Sequence, residues 1–276
     1  MKRNSYSSLA FAVVVALGMV ASSLAVAQGT TCPGYTPNPN SVIVTERVYN
    51  DCPSSTVTTV NNYPALLSIR DTDEGCVGWA DKHTWRLSEN GLEPAMFENC
   101  SHYRFGAWFL ISGFGGNAEG GLQLTPWWGL GGDGFFMVKT LGEIACWGGR
   151  GPFYSFTVGN GLTYAAGNPI YLEMVYNPRE LSSNLPATLT YNVVYQGQSY
   201  TSGPLAFDEG NPAEGALHGT WGELSPAQVG GYFQLPGGNG GALYDMTASW
   251  RDFQFEGPGA TPASQKTWGQ LKTMYR

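Results

Sequence analysis

Charge is scarce in this chain. Only 13% of its 276 residues are Asp, Glu, Lys or Arg, and histidine occurs just three times, at His83, His102 and His218. Histidines this scattered supply no zinc-site spacing. The H-E-x-x-H, G-x-S-x-G and P-loop signatures are all missing, which removes the metalloprotease, serine-hydrolase and nucleotide-cleaving classes that they mark. Acidic residues outnumber basic ones 21 to 14, so no electrostatic footprint for nucleic acid or anionic lipid is present. The five cysteines form no C-x-x-C, no segment repeats at a fixed period, and no apolar run is long enough to cross a bilayer comfortably.

What the chain does have is glycine and aromatic rings. Its 38 glycines and 13% Phe, Trp and Tyr suit an all-β protein, with Gly in the turns and rings in the strands. The same composition argues against a helical bundle or a disordered chain.

The first residues predict export. Lys2 and Arg3 precede an apolar core from Leu9 to Val20, and Ala25-Val26-Ala27 is a small-x-small cleavage site. The expected signal peptide is residues 1–27, with cleavage between Ala27 and Gln28, giving a secreted or cell-surface protein. Its removal takes two basic residues and leaves 276 − 27 = 249 residues with a charge of 12 − 21 = −9. Export permits disulfides. Proximity predicts Cys32–Cys52 and Cys76–Cys100, each stabilising by roughly 3 kcal/mol in the chain-entropy model. Cys146, between Ala145 and Trp147 in an apolar run, is expected to be a buried free thiol.

Period-two alternation between turn signals dominates the rest. Strands are predicted at residues 41–48, 54–60, 66–70, 103–112 and 187–195, the last closed by a tight turn at Gln196-Gly197-Gln198. Short apolar runs divided by Gly, Asn, Asp and Pro fill residues 118–178, and further strands are expected at 229–235 and 242–256. From Asp71 to Cys100 the pattern loosens, with Trp79, Trp85 and Leu87 as apolar anchors and a helical turn expected at Pro94 to Phe97. In the final strand the parity changes after Trp250, which predicts a β-bulge at Arg251-Asp252. Such a bulge either aims Asp252 at a ligand or bends a long strand. The expected organisation is a sandwich over residues 28–256 with a disulfide-tied portion at 28–100, a linker at 257–263, and a helical tail at 264–276 with Trp268, Leu271 and Tyr275 on one face.

Eight short patterns carry a resemblance: A-E-x-G-L at Ala118, D-G-x-F at Asp133, G-E-I-A at Gly142, P-F-Y-S-F at Pro152, L-x-Y at Leu162, L-E-M-x-Y at Leu172, G-P-L-x-F at Gly203 and G-G-Y-x-Q at Gly230. Together they resemble exported bacterial sandwich proteins within the concanavalin A-like lectin/glucanase superfamily (LamG-like). The resemblance implies an antiparallel two-sheet jelly roll. Trp268 to Arg276 is similar to a W-G-x-L-K-x-x-Y-R ending of exported bacterial proteins, which is either a sorting signal or an ordinary terminal helix.

The glucanase branch carries E-x-D-x-x-E or E-x-D-x-E on one strand, which points two carboxylates into one cleft. Neither occurs here. Glu119, Glu143 and Glu173 stand singly, and Glu119 with Glu173 is the pair a hydrolase or lyase would use. Asp71 and Asp73 are the calcium candidates, in an acidic stretch that lacks EF-hand spacing; no other cofactor is implied. Trp127-Trp128, after Pro126, is the expected ligand site, as a flat platform for sugar rings or as a plug at the end of the sandwich. The leading expectation is a non-enzymatic exported protein that binds glycan or cell-surface components. The alternative is a glycoside hydrolase or lyase with an atypical carboxylate pair.

Overall fold

The computed structural model describes residues 37–73, 80–98, 100–125, 134–148, 152–180, 185–206, 228–236 and 243–258. The chain is all-β: two antiparallel sheets of seven strands packed as a jelly-roll sandwich. Sheet I has the order β1 (Ser41–Asn50), β4 (Ala80–Ser88), β13 (Gln228–Pro236), β6 (Glu119–Thr125), β7 (Gly134–Lys139), β8 (Ile144–Trp147) and β9 (Tyr154–Ser155). Sheet II has the order β12 (Gln198–Ala206), β11 (Thr188–Tyr195), β10 (Ile170–Asn177), β5 (Tyr103–Phe114), β14 (Tyr244–Glu256), β3 (Leu66–Asp73) and β2 (Thr56–Asn62). Among the described residues the one α-helix is α1 (Phe156–Asn160), capped by the Ser155 hydroxyl and closed by Gly161 in the left-handed region. No helix of the described residues is long and apolar enough to cross a membrane.

Alternation fixes which residues face the core. Leu122, Leu124, Phe136, Val138, Trp85 and Phe233 of sheet I meet Leu172, Met174, Phe109, Ile111, Ala248 and Trp250 of sheet II in one cluster. Trp250 sits at its centre. Its indole crosses the gap to donate from Nε1 to the Gly121 carbonyl of sheet I at 3.0 Å, and it meets Trp85 edge-on at 5.7 Å. Burying a ring of this size removes roughly 200 Å² from water, or about 5 kcal/mol at 25 cal/mol per Å². Space for the two rings comes from missing side chains. A Cβ on Gly231 would lie 2.5 Å from both the Trp85 indole nitrogen and the Gly121 carbonyl oxygen.

Several expected features are present. The hairpin turns through Gln196 and Gly197, both at positive φ, as a two-residue turn demands. The bulge in β14 lies between Arg251 and Gln254, with Asp252 at φ 53°. Asp252 is exposed, and its amide donates to the Ala65 carbonyl. The bulge therefore bends the strand against the β2–β3 turn. Two expectations are corrected. Pro94 to Phe97 form no helical turn; Pro94 bridges back to Ser88, held by the Ser88 hydroxyl donating to the Glu93 carbonyl at 2.6 Å. The loosened stretch before Cys100 contains a full strand, β4, which is buried along its whole length. Cys52 and Cys100 are disulfide-bonded; the partners expected for them, Cys32 and Cys76, lie outside the described residues. Cys146 is a buried free thiol whose pKa burial pushes well up, as expected of an inert core cysteine.

Gly231→Ala is expected to destabilise the fold by about 1–3 kcal/mol through overpacking against Trp85. Chemical denaturation of the variant measures this, and an unchanged midpoint would show that the interface of the two sheets is looser than described.

Candidate functional site

The register of sheet I places its outward side chains in rows that run across the strands. One row reads Ile43, Arg86, Gly230, Gln123, Phe135, Trp147. The next reads Thr45, Thr84, Tyr232, Gly121, Met137, Ala145. The third reads Tyr49, Lys82, Gln234, Glu119, Lys139. The adjacent strands β4, β13 and β6 thus gather two cations, a phenol, two amides and a carboxylate on one face, flanked by the aromatic rings of β7 and β8.

Glycine shapes this surface. Gly230 stands between Arg86 and Gln123 in the first row and has no side chain to separate them. Arg86 Nη1 reaches Gln123 Oε1 at 3.3 Å across β13, and also donates to the Trp85 carbonyl at 2.9 Å. Lys82 is 1% exposed, and its ammonium lies 4.6 Å from the ring centre of Phe135, 5.3 Å from Tyr232 and 5.7 Å from Tyr49. Cation–π attraction of about 0.5–2 kcal/mol per ring offsets part of its desolvation.

Two polar atoms at the centre are unsatisfied. The Tyr232 hydroxyl and the Gln123 amide nitrogen are buried and have no hydrogen-bond partner among the described residues. A buried donor without an acceptor costs about 1–3 kcal/mol. Burial raises the pKa of Tyr232 well above the ordinary tyrosine range, and nearby Glu119 raises it further. Glu119 acts on the phenol through its charge and through a contact with the hydroxyl that falls short of full hydrogen-bond geometry. Tyr232 is therefore a neutral phenol. Glu119 is itself raised, first by burial, while Lys139 and Lys82 pull it back. Lys139 lies 3.9 Å from Glu119 and 2.8 Å from Glu143, and so occupies the space between them.

The expected carboxylate pair is not brought together. Glu119 points outward from sheet I, whereas Glu173 alternates with the core residues Leu172 and Met174 and so points outward from sheet II. The whole core separates them. Glu173 is held by Asn192 Nδ2 at 2.8 Å and the Tyr171 hydroxyl at 3.0 Å, with Arg104 at 3.3 Å. Tyr171 lies flat across Gly106, where a Cβ would collide with its hydroxyl. Glu173 thus belongs to a closed structural network. Trp127 and Trp128 lie outside the described residues, as do Ala27 and Gln28.

Asp71 faces the core side of sheet II and meets Asp81 and His83 of β4, with donor atoms all within 4.8 Å of one another. The hydrogen bonds around this trio do not suit a cation. The Arg47 amide donates to His83 Nδ1 at 3.0 Å, so the ring hydrogen must sit on Nε2, which faces Asp71 Oδ2 at 3.1 Å. A metal at Nε2 would require an imidazolate. The Arg47 guanidinium, 3.3 Å from Asp81, already supplies positive charge. Asp73 is occupied by the Ser54 hydroxyl at 3.1 Å. Calcium, which takes six to eight oxygens, finds no such shell in these side chains.

Sequence reasoning missed Lys82 and Arg86 because polar side chains on both faces of β4 erase its alternation; Gln123 lies on the alternating strand β6 and carried no assigned role. Trp85 and Leu87, two residues apart, are the signal that was present. Tyr232 and Gln234 lay within G-G-Y-x-Q without an assigned role.

No family model matches the chain, and no curated protein matches its sequence. Among solved structures it is similar to an alginate lyase from Corynebacterium sp., at 11% identity and a TM-score of 0.37, over 72% of this chain and 79% of that one. It is also similar to the family 7 alginate lyase A1-II′ with bound substrate, at 9% identity and a TM-score of 0.41, over 72% and 81%. A family 18 polysaccharide lyase, aly-SJ02, matches at 9% identity and a TM-score of 0.36, over 74% and 94%. At such scores these likenesses bear on neither the residues nor the chemistry of this chain.

Glu119→Gln is expected to lower the ionisation midpoint of Tyr232 while leaving it above the ordinary tyrosine value, because burial is the larger cause. Alkaline ultraviolet titration with and without Tyr232→Phe isolates this phenol, and an unchanged midpoint would separate Glu119 from it.

Proposed function

We propose that the outer face of sheet I binds an acidic polysaccharide and cleaves it by β-elimination, as a lyase. The carrying observation is the pairing of Arg86 with Gln123 beside Tyr232, where a buried hydroxyl and a buried amide nitrogen both lack partners. A sugar carboxylate fits this set. Arg86 and the Gln123 amide would neutralise it, which makes the adjacent ring C–H more acidic. Elimination moves that proton to a base, forms a C=C bond and breaks the C–O bond to the next sugar, whose oxygen takes up a proton. Tyr232, kept neutral by its surroundings, suits the proton donor. Glu119 is the carboxylate beside it and suits the acceptor.

Hydrolysis is supported less well. It requires two cooperating carboxylates, about 5–5.5 Å apart in retaining enzymes. Glu173 lies on the opposite outer face, and Lys139 stands between Glu119 and Glu143. Glycan binding without turnover is the second reading. It is favoured by Lys139, whose ammonium lies 3.9 Å from Glu119 and pulls back the pKa that burial raises, which weakens that carboxylate as a base. Trp127 and Trp128 follow β6 directly in sequence and are proposed as stacking residues under either reading. Action outside the cell, after removal of residues 1–27, is proposed with it.

Incubation with a panel of uronate polysaccharides is expected to yield unsaturated products absorbing in the ultraviolet. Tyr232→Phe should lower the rate at least about 100-fold, and Arg86→Ala should lower it comparably. Absence of product across the panel, with oligosaccharide binding intact, would reject the lyase in favour of the binding reading.

A further inference from the structure

On the core side of β4, directly behind Lys82, lies a polar cluster that the proposed chemistry does not use. Its members come from four strands and one connection: Arg47 of β1, Asp71 and Asp73 of β3, Asp81 and His83 of β4, Tyr244 of β14, and Ser55 between β1 and β2. Asp51 stands beside it and accepts from the Ala80 amide at 2.9 Å. Asp71, Asp81 and His83 are completely buried.

The donors can be assigned atom by atom. Asp71 Oδ2 faces His83 Nε2–H at 3.1 Å, and Asp71 Oδ1 faces the Tyr244 hydroxyl at 3.5 Å. Asp81 Oδ2 receives the Ser55 hydroxyl at 2.9 Å and Arg47 Nη1 at 3.3 Å. Asp81 Oδ1 is left buried with no partner among the described residues. An ionised carboxylate oxygen in that position is costly, more so opposite a second carboxylate. Asp71 is the carboxylate within reach, since donor atoms of Asp71, Asp81 and His83 all lie within 4.8 Å of one another, so one hydrogen on Oδ1 has an acceptor to turn to.

We propose that Asp81 and Asp71 hold one proton between them across the interface of the two sheets, and that this shared proton is a pH-sensitive latch for the bulge of β1. The bulge is tied to the cluster at two points. The Arg47 amide is fixed to His83, and the Arg47 guanidinium to Asp81, Ser55 and the Cys52 carbonyl. Arg47 itself is at φ 57°, an unfavourable region for a side-chain-bearing residue. The register of β1 against β4 shifts between Thr45 and Tyr49, and Tyr49 then lands opposite Lys82 on the outer face. Loss of the proton sets two like charges against each other behind Lys82, with Arg47 the cation in contact among the described residues. The latch holds whether or not the outer face cleaves glycan.

The pH window follows from the Asp81 carboxyl, which burial and the Asp71 contact push up to about 6. The unfolded chain releases this proton near pH 4, while the folded chain keeps it to about 6. Its contribution is therefore greatest below pH 4, declines between 4 and 6, and is constant above. The decline amounts to roughly a hundredfold in the folding equilibrium constant, from two pH units.

The test is denaturant unfolding from pH 4 to 7 of the full chain and of Asp81→Asn, whose amide donates to Asp71 without a titrating proton. The wild-type constant relative to Asp81→Asn is expected to fall roughly fiftyfold from pH 4 to 7, the part of the hundredfold that lies above pH 4. A ratio independent of pH would overturn the proposal. Carbon-13 NMR of the wild-type aspartate carboxyls provides a readout without any variant. Asp81 should titrate near pH 6, with the Tyr49 ring and Lys82 side-chain resonances following the same midpoint. Titration of Asp81 near its ordinary value, or Tyr49 and Lys82 signals that do not follow it, would overturn the latch.

Discussion

A single strand, β4, buries charged and polar side chains on both of its faces, and the arrangement of the molecule depends on how each face is compensated. Toward the core, Asp81 and His83 meet Asp71 and the Arg47 bulge. Toward the outside, Lys82 sits among three rings and Arg86 bonds Gln123. A buried charge without a partner costs several kcal/mol, so β4 is stable only because its neighbours bring opposite charge, aromatic faces and amides to the right register. Trp85 anchors the strand between these polar groups by packing edge-on against Trp250.

Glycine does complementary work on the strands beside it. Gly231 leaves room for the Trp85 ring on the inside, and Gly230 leaves Arg86 and Gln123 in contact on the outside. Consecutive residues of β13 therefore serve the core and the site in turn. Tyr232, the next residue, projects into the hollow beside Gly121. The dry surroundings that make its phenol hard to ionise also make any charge placed there strongly felt. Stability and prospective chemistry thus draw on the same low-dielectric setting.

Legibility in the sequence followed alternation. Strands β5, β10, β11 and β14 alternate apolar and polar residues and were readable, including the bulge at Asp252 where parity changes. Strand β4 was not, because Ala-Asp-Lys-His-Thr-Trp-Arg-Leu-Ser places polar side chains on the buried face as well as the outer one. Tertiary partners, which local spacing does not reveal, are what make that burial tolerable. The site was lost with the strand. Glu119 was identified as a carboxylate of interest, but its supposed partner Glu173 points from the other sheet. Each lies on a strand that alternates cleanly, yet alternation alone does not say which sheet a strand joins.

The proposed lyase reading requires an acidic glycan to sit on the outer face of sheet I. A crystal structure with a bound oligouronate tests this most directly. Density is expected across β4, β13 and β6, with a sugar carboxylate against Arg86 and the Gln123 amide, and a ring oxygen or hydroxyl on Tyr232. Density confined to the outer face of sheet II, over Trp108 and Tyr171, or a complex that leaves Arg86 and Tyr232 untouched, would contradict it.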